Sequence, residues 1–386
     1  MPSPDFFGLR FRGAALLAAA GLVAAALAPG FLAMRRPDVV RPGPGVTRTA
    51  ALSSWLPALA GSAGDTPVYI LEGADAGATA LVLGGTHADE PAGYLAAVVL
   101  LEQVRVSAGR LIVIPRANAS GFTHNFPQEA HPSSFVIETR DGPRRFTFGA
   151  RATNPVDQWP DPQVYTLRQS GQTLSGSETR NLNRAYPGRV DGTLTERVAF
   201  AITTLLRRER VDLAVDLHEA SPEYPVVNTI VAHQRAMDLA ALANMNLQAA
   251  GIGIGLEQSP VTLHGLSHRE WGDSTGALAV LMESTNPAQG RLRGRTDAAL
   301  VTLGRDRFYT QAATEHRLSV PFPPNGWPLD MRVARHLAGV QELANGLGDI
   351  VGRRLILSGI PAYHDVVENG LGAYLRGPVG NARDTR

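Results

Sequence analysis

Two residues that can bind a metal ion lie three positions apart in the segment G-G-T-H-A-D-E-P-A-G at 84–93. His87 and Glu90 follow an apolar run at 80–83 and precede a stretch with helical character. On a turn that enters a helix, this spacing brings an imidazole and a carboxylate to the same side, and the two glycines let the chain turn sharply. Both side chains are ligands that zinc accepts. A solvated turn is the alternative for this motif on its own.

A second polar group ends the apolar run that begins at residue 211, in the sequence D-L-H-E. Asp216 and His218 fall on one face of the predicted strand, because side chains alternate between the two faces. Asp216 is therefore expected to orient the imidazole of a metal-binding His218. Glu219 points to the other face and is expected to be structural. The alternative is a histidine that caps the strand by bonding to the backbone.

Glu283 is the carboxylate that ends another apolar run, at 277–282. Burial raises the pKa of an unpaired carboxyl group, which suits a group that takes and gives protons near neutral pH. A salt bridge at the strand end is the alternative for this residue alone. Taken together, His87, Glu90 and His218 form the two-histidine, one-glutamate set of a catalytic zinc, and Glu283 supplies a base.

These motifs, with the run R-N-L-N-R-A-Y-P-G at 180–188, resemble the zinc carboxypeptidase superfamily and, within it, the succinylglutamate desuccinylase and aspartoacylase family. They occur in the family's order between residues 68 and 287. The resemblance implies one Zn²⁺ per chain, held by His87, Glu90 and His218, with Glu283 as the catalytic residue.

The pair Asn183 and Arg184 resembles the family's carboxylate-recognition pair. A planar guanidinium can grip a substrate carboxylate through two parallel hydrogen bonds, whereas a structural ion pair of Arg184 is the alternative. The resemblance implies an amide substrate, a small acylated amino acid or a peptide, that carries a carboxylate next to the scissile bond. Zinc would polarise the carbonyl and acidify a water molecule, and Glu283 would carry the proton to the leaving amine.

The leading functional hypothesis is therefore a zinc-dependent N-acyl amino acid deacylase. A carboxypeptidase-like metallopeptidase that acts on peptides in the cell envelope would use the same residues. A third possibility is a binding module of the envelope without catalytic activity. The stretch at 118–179 is rich in proline, asparagine, glycine and charged residues without clear periodicity, and we expect it to form a pocket or lid region.

Composition excludes several other classes of chemistry. The 386 residues include 36 basic and 35 acidic side chains, and the net charge of +1 implies no nucleic-acid partner. Every basic residue is an arginine, which excludes a Schiff-base lysine and a phosphate-loop lysine. The absence of cysteine excludes thiol nucleophiles, disulfides and cysteine-bound zinc.

Apolar runs typical of buried strands alternate with amphipathic stretches typical of helices. The predicted strands are 68–71, 80–83, 111–114, 213–217, 226–231 and 277–282, and the predicted helices are 92–104, 194–210 and 237–250. This alternation predicts an α/β fold, a three-layer sandwich with a mixed, largely parallel central sheet, which is the architecture that the zinc carboxypeptidase resemblance also implies.

An uncharged run rich in alanine and leucine at 13–34 is flanked by arginines on both sides. Its length predicts a membrane segment, and we favour an uncleaved signal anchor at 1–36. A Pro/Gly linker is expected at 37–50 and the zinc hydrolase domain at 51–386. The expected location is the inner membrane, with the catalytic domain outside the cytoplasm. Cleavage after Ala28 is the alternative and would release the domain to the periplasm.

Overall fold

The computed structural model describes residues 4–126 and 131–377. The chain divides into two compact units, Met1–Pro37 and Asp38–Arg386. The first unit contains helix α1, Pro4–Met34. Its portion Arg10–Met34 has a hydropathy of 2.1 and is long and apolar enough to cross a membrane.

The second unit is built around one large sheet flanked by helices. Its strands are β1 (Arg48–Ala51), β2 (Pro67–Glu72), β3 (Asp75–Leu83), β4 (Arg105–Ile114), β5 (Ser134–Thr139), β6 (Gly142–Thr147), β7 (Val164–Thr166), β8 (Thr173–Ser175), β9 (Leu213–Ala220), β10 (Thr229–Ala232), β11 (Gly255–Gln258), β12 (Leu278–Thr285) and β13 (Ile356–Ser358). Its helices are α2 (Pro91–Gln103), α3 (Leu194–Arg208), α4 (Met237–Ala249), α5 (Ser267–Ser274), α6 (Ala298–Leu303), α7 (Arg307–Thr314), α8 (Leu329–Val351) and α9 (Tyr363–Asn369).

Within the described ranges, nine strands form the main sheet in the order β1-β2-β4-β3-β9-β12-β10-β11, with β13 paired to β4. The central strands β4, β3, β9 and β12 run parallel, whereas β10 joins β12 in an antiparallel pair. The carboxyl ends of β3, β9 and β12 therefore meet at one edge of the sheet, where α/β folds bind their ligands.

Each face of the sheet is covered by its own hydrophobic core. Helices α2, α4 and α8 pack against the side chains of one face, represented by Val82, Val215 and Val280. Helix α3 and Trp271 of α5 cover the other face, represented by Leu81 and Ala279. This arrangement is a three-layer α/β/α sandwich with a mixed, largely parallel sheet, and the predicted fold class is confirmed.

Local sequence explains why the helices begin where they do. Helix α2 starts with Pro91 in its first turn, where the missing N–H is not needed, and it is buried on nearly all sides. Helix α3 starts with a capping box, in which Thr193 accepts from the Glu196 backbone and Glu196 accepts from the Thr193 backbone. Both helices thus have a local sequence signal that defines their first turn.

The stretch at 118–179 contains more regular structure than its sequence predicts. It carries the hairpins β5–β6 and β7–β8 and short 3₁₀ turns at Ala119–Thr123 and Gly176–Arg180. Antiparallel pairs of short strands tolerate the frequent proline and glycine between them, and their periodicity is too brief to read from sequence.

Part of the segment expected as a linker at 37–50 contacts the second unit. The Asp38 carboxylate accepts hydrogen bonds from the backbone and hydroxyl of Thr147, at 3.0 and 2.6 Å, and pairs with Arg116 at 2.5 Å. Arg144 donates to the Val39 carbonyl at 2.8 Å. The chain therefore packs on the domain from Asp38 onward, and strand β1 begins within the same segment.

Candidate active site

The turn from β3 into α2 positions the first two predicted ligands. Gly85 has φ of +66°, a left-handed conformation that favours glycine and reverses the chain directly after the strand. Two and five residues later, His87 and Glu90 are buried side by side, with His87 Nδ1 2.7 Å from Glu90 Oε1. The H-x-x-E spacing thus brings the imidazole and the carboxylate together as expected.

Strand β9 brings the third predicted ligand to the same place. His218 Nδ1 lies 2.9 Å from Glu90 Oε2, so the Glu90 carboxylate stands between the two imidazoles. His218 Nε2 lies 2.9 Å from Asp216 Oδ2, and Thr86 donates to the other oxygen of Asp216 at 2.9 Å. Asp216 therefore sits behind His218, in the position that strand alternation predicts.

The ring of His87 is held from behind by Asn181, a residue to which the sequence analysis gave no role. Its Oδ1 lies 2.9 Å from His87 Nε2. An oxygen acceptor at Nε2 keeps the proton on that nitrogen and leaves the Nδ1 lone pair free for a metal ion. Asn181 lies in the run 180–188, yet nothing in its spacing distinguishes it from the other polar residues there.

The donor set fits a zinc ion. One ligand atom from each of His87, Glu90 and His218 lies within 4.8 Å of the others, and all three side chains are buried. Burial would raise the pKa of Glu90, but both histidines hold it well below its usual range, so the carboxylate is ionised. Burial and Arg151 lower the pKa of His87 to about 4, which leaves its imidazole neutral, as a metal ligand must be.

Glu283 lies directly beside the ligand set. It is the parallel register partner of His218 on β12, and the alternation of the two strands directs both side chains to the same face of the sheet. Burial raises the pKa of Glu283 to about 8, and no donor among the described residues reaches its buried Oε2. A cation bound at the neighbouring ligands would favour the ionised form of this carboxyl group.

Asn183 and Arg184 line the same cavity as the ligands, about 380 Å³ in volume. Asn183 Oδ1 accepts from the backbone of Ser267 at 2.9 Å and so fixes the start of α5. Arg184 donates to the Asn183 carbonyl, and its Nε is 3.9 Å from Glu178. That ion pair is long, and Arg184 is one of the charged residues that line the cavity.

Further polar residues also line the cavity, among them Arg151, His268 and Gln289. Arg151 approaches Glu90 Oε1 to 3.3 Å, and Gln289 donates to the same oxygen at 3.1 Å. His268 is buried on α5, with Nδ1 2.8 Å from the hydroxyl of Ser259. The start of α5 turns His268 inward, and its contact with Ser259 holds the neighbouring loop. Arg151 comes from the expected pocket region, but no local pattern marks it.

Part of the chain that forms this site also matches a known protein family in sequence. Residues 167–289 match the sequence model of the succinylglutamate desuccinylase/aspartoacylase catalytic domain. The resemblance to this family is confirmed. The matched segment contains Asn183, Arg184, His218 and Glu283, whereas the motif with His87 and Glu90 precedes it and joins the site through the contacts described above.

Individual relatives are distant. Over 313 residues the chain is 23% identical to N-alpha-acetyl-L-2,4-diaminobutyric acid deacetylase of Halomonas elongata, covering 79% of this chain and 75% of the relative. A succinylglutamate desuccinylase structure from Silicibacter sp. is 24% identical, with a TM-score of 0.38 over 57% of this chain and 53% of that one. Cell shape determinant protein Csd4 of Helicobacter pylori is 13% identical, with a TM-score of 0.44 over 78% of this chain and 58% of its own. The chain thus spans little more than half the length of these solved structures.

Proposed function

We propose that this protein is a zinc-dependent hydrolase that cleaves an amide bond next to a carboxylate, as an N-acyl amino acid deacylase does. The observation that carries the proposal is the convergence of two buried Nδ1 atoms and the Glu90 carboxylate, with Glu283 in register beside them. A deacetylase of an acylated amino acid among the relatives and the matched catalytic domain support the same reaction class.

His87, Glu90 and His218 would hold the zinc ion, which supplies a Lewis acid for the scissile carbonyl and a water of lowered pKa. Arg184 binds the substrate carboxylate and thereby fixes the amide in the cavity. Glu283 accepts a proton from the attacking water and delivers it to the leaving nitrogen. Arg151 places a positive charge next to the site, where the carbonyl oxygen gains negative charge in the transition state.

The proposal also includes a location at a membrane surface, supported by the apolar N-terminal helix. The apolar α1 helix, with arginines on both flanks, serves as an uncleaved anchor, and the catalytic unit lies outside the cytoplasm. The substrate is then a small acylated amino acid of the cell envelope. A peptide substrate is the second candidate, because it carries the same carboxylate next to an amide.

The test is a hydrolysis assay of the detergent-solubilised full chain on N-acyl amino acids beside short peptides, with zinc measured in the same samples. Glu283→Gln is expected to keep its zinc and to lose about 10² to 10⁴-fold in rate. His218→Ala is expected to lose zinc and activity together. A zinc-free Glu283→Gln protein, an active zinc-replete His218→Ala protein, or a zinc-loaded wild type inert toward every amide would contradict the proposal.

A further inference from the structure

The cavity that contains the proposed zinc ligands is lined by two chemically different sets of side chains. One set is charged and includes Glu90, Arg184 and Glu283. The other set, called the apolar end below, consists of six aliphatic side chains, Val226, Val231, Pro260, Leu263, Leu266 and Leu281. An apolar surface of this kind stabilises a ligand by removing its hydrocarbon from water, and it disfavours a charged group.

The floor of the apolar end is continuous with the catalytic edge of the sheet. Leu281 and Glu283 are two residues apart on β12, so their side chains project from the same face. Val231 on β10 is the antiparallel register partner of Leu281 and stands next to it. The apolar floor therefore begins immediately beside the proposed base.

The wall of the apolar end is a loop at 259–266 that is held in a fixed conformation. The Ser259 backbone donates to the Ala232 carbonyl at 2.8 Å, and the Ser259 hydroxyl contacts His268. At the other end of the loop, His264 Nδ1 and the Gly265 backbone both reach Glu270 Oε1, at 2.9 and 3.1 Å. Because this loop is already held in place, little conformational entropy of the loop is lost when a ligand binds.

The same loop packs directly against the arginine that is expected to read the carboxylate. Gly265 has φ of +87°, and a Cβ atom at this position would lie 2.5 Å from the Arg184 carbonyl oxygen. The Tyr186 backbone donates to the Gly265 carbonyl at 3.2 Å. The backbone of Arg184 thus packs against this loop, and its side chain lines the same cavity as Leu263 and Leu266.

We propose that the apolar end is a subsite for the side chain of the leaving amino acid and that it selects an uncharged aliphatic side chain, as in an N-acylated leucine. The inference rests on the proposed amide hydrolysis. It gives this chain a preference different from the acidic or basic amino acids in the names of its relatives. A carboxylate or ammonium group that packs against these aliphatic side chains would lose hydration that they cannot replace.

The experiment compares N-acetyl-leucine, N-acetylglycine, N-acetylaspartate and N-acetyl-diaminobutyrate as substrates of the zinc-loaded full chain. We expect kcat/KM for the leucine derivative to exceed that for the glycine derivative by at least about ten-fold, with the two charged derivatives below both. Binding of the products leucine, glycine and aspartate is measured in parallel by calorimetry, and leucine is expected to bind at least about ten-fold more tightly than glycine.

A pair of matched variants tests the wall itself. Leu263→Asp places a carboxylate in the apolar end, whereas Leu303→Asp places one at an exposed leucine on α6, outside the cavity. Leu263→Asp is expected to lose the preference for leucine by about ten-fold or more and to favour diaminobutyrate, with zinc content unchanged. Leu303→Asp is expected to behave as wild type.

The outcomes separate the two proposals. If every N-acyl compound is inert but leucine binds more tightly than glycine and aspartate, the hydrolase assignment is wrong and the subsite stands. If hydrolysis occurs and a charged derivative is the best substrate, or if Leu263→Asp leaves the order of preference unchanged, the aliphatic subsite is wrong and the hydrolase assignment stands.

Discussion

Asn181 lies behind the imidazole of His87 and Asp216 lies behind the imidazole of His218, each with an oxygen atom 2.9 Å from Nε2. This arrangement determines which nitrogen of each ring faces Glu90. Neither contact involves a proposed ligand atom. Removing one of them therefore disturbs the orientation of a ligand imidazole while the imidazole itself stays in place. Substitutions of such supporting groups lower metal affinity without removing a ligand.

Asn181→Ala is predicted to weaken zinc binding by about 10 to 100-fold, because His87 loses the acceptor that fixes its tautomer and orientation. Asn181→Asp keeps an oxygen at the same position and is expected to recover most of the affinity. Competition with a chelator measures the dissociation constants. Asn246→Ala, which removes an exposed contact to Glu342, is the control. An unchanged zinc affinity in Asn181→Ala would argue against this role.

Arg184→Ala is predicted to abolish the preference of the enzyme for a free carboxylate over its carboxamide analogue. Loss of one partner of a desolvated charge pair costs about 2 to 5 kcal/mol, and Arg184→Lys should restore only part of this because it lacks the planar fork. Zinc content should not change. The measurement is kcat/KM for both analogues. An equal preference for the acid in wild type and Arg184→Ala would show that another residue reads the carboxylate.

At the scale of secondary structure, the site residues that can be predicted are those that lie at the ends of strands. Strands β3, β9 and β12 were predicted from apolar runs, and the polar residues that end them meet at one sheet edge. The site residues that were missed reach the cavity from loops or a short helix. Arg151 and His268 are placed by long-range packing, and no local spacing encodes such packing.

Helix α8 was not predicted because its buried face is partly charged. Arg332, Arg335 and His336 are all buried in this 23-residue helix, which interrupts the apolar periodicity on which helix prediction rests. Arg332 donates to Glu219 of β9 at 2.7 Å, and both side chains are fully buried. Glu219 thus has the structural role expected of it, on the face of β9 opposite His218.

Arg332→Met is predicted to lower the free energy of unfolding by about 3 to 5 kcal/mol, because it leaves the buried Glu219 without its partner. Burial already raises the pKa of Glu219 to about 7, although Arg332 lowers it. Removal of Arg332 should raise the pKa of Glu219 further, so that the folded variant binds this proton more tightly than the folded wild type. The loss of stability should therefore grow as the pH rises through 7. Urea denaturation of wild type and variant at pH 6 and pH 8 measures this loss of stability. The double variant with Glu219→Gln should recover much of the stability, and a loss that shrinks at pH 8 would contradict the argument.

At the scale of the whole molecule, the chain combines a membrane-compatible helix with a folded unit that starts before the predicted domain boundary. The sequence predicts such a division because an uncharged apolar run differs sharply from the alternating pattern that follows it. It cannot predict the contacts of Asp38 and Val39, since their partners Arg116, Thr147 and Arg144 are distant in sequence. Proline and glycine near these residues suggest a free linker although the backbone is held.

Two truncations test this division of the molecule. A chain that starts at residue 37 is predicted to leave the membrane fraction while retaining the kcat/KM of the full chain, because every proposed site residue lies in the second unit.

A chain that starts at residue 47 keeps β1 but loses the hydrogen bonds of Asp38, each worth about 1.5 to 3 kcal/mol for a charged acceptor. It should therefore unfold at lower urea concentration, and Asp38→Asn in the longer truncation should reproduce part of the loss. Membrane fractionation and urea denaturation decide the outcome. A full chain found in the soluble fraction with its N-terminus intact would contradict the anchor, and equal stability of the two truncations would show that residues 37–46 act only as a linker.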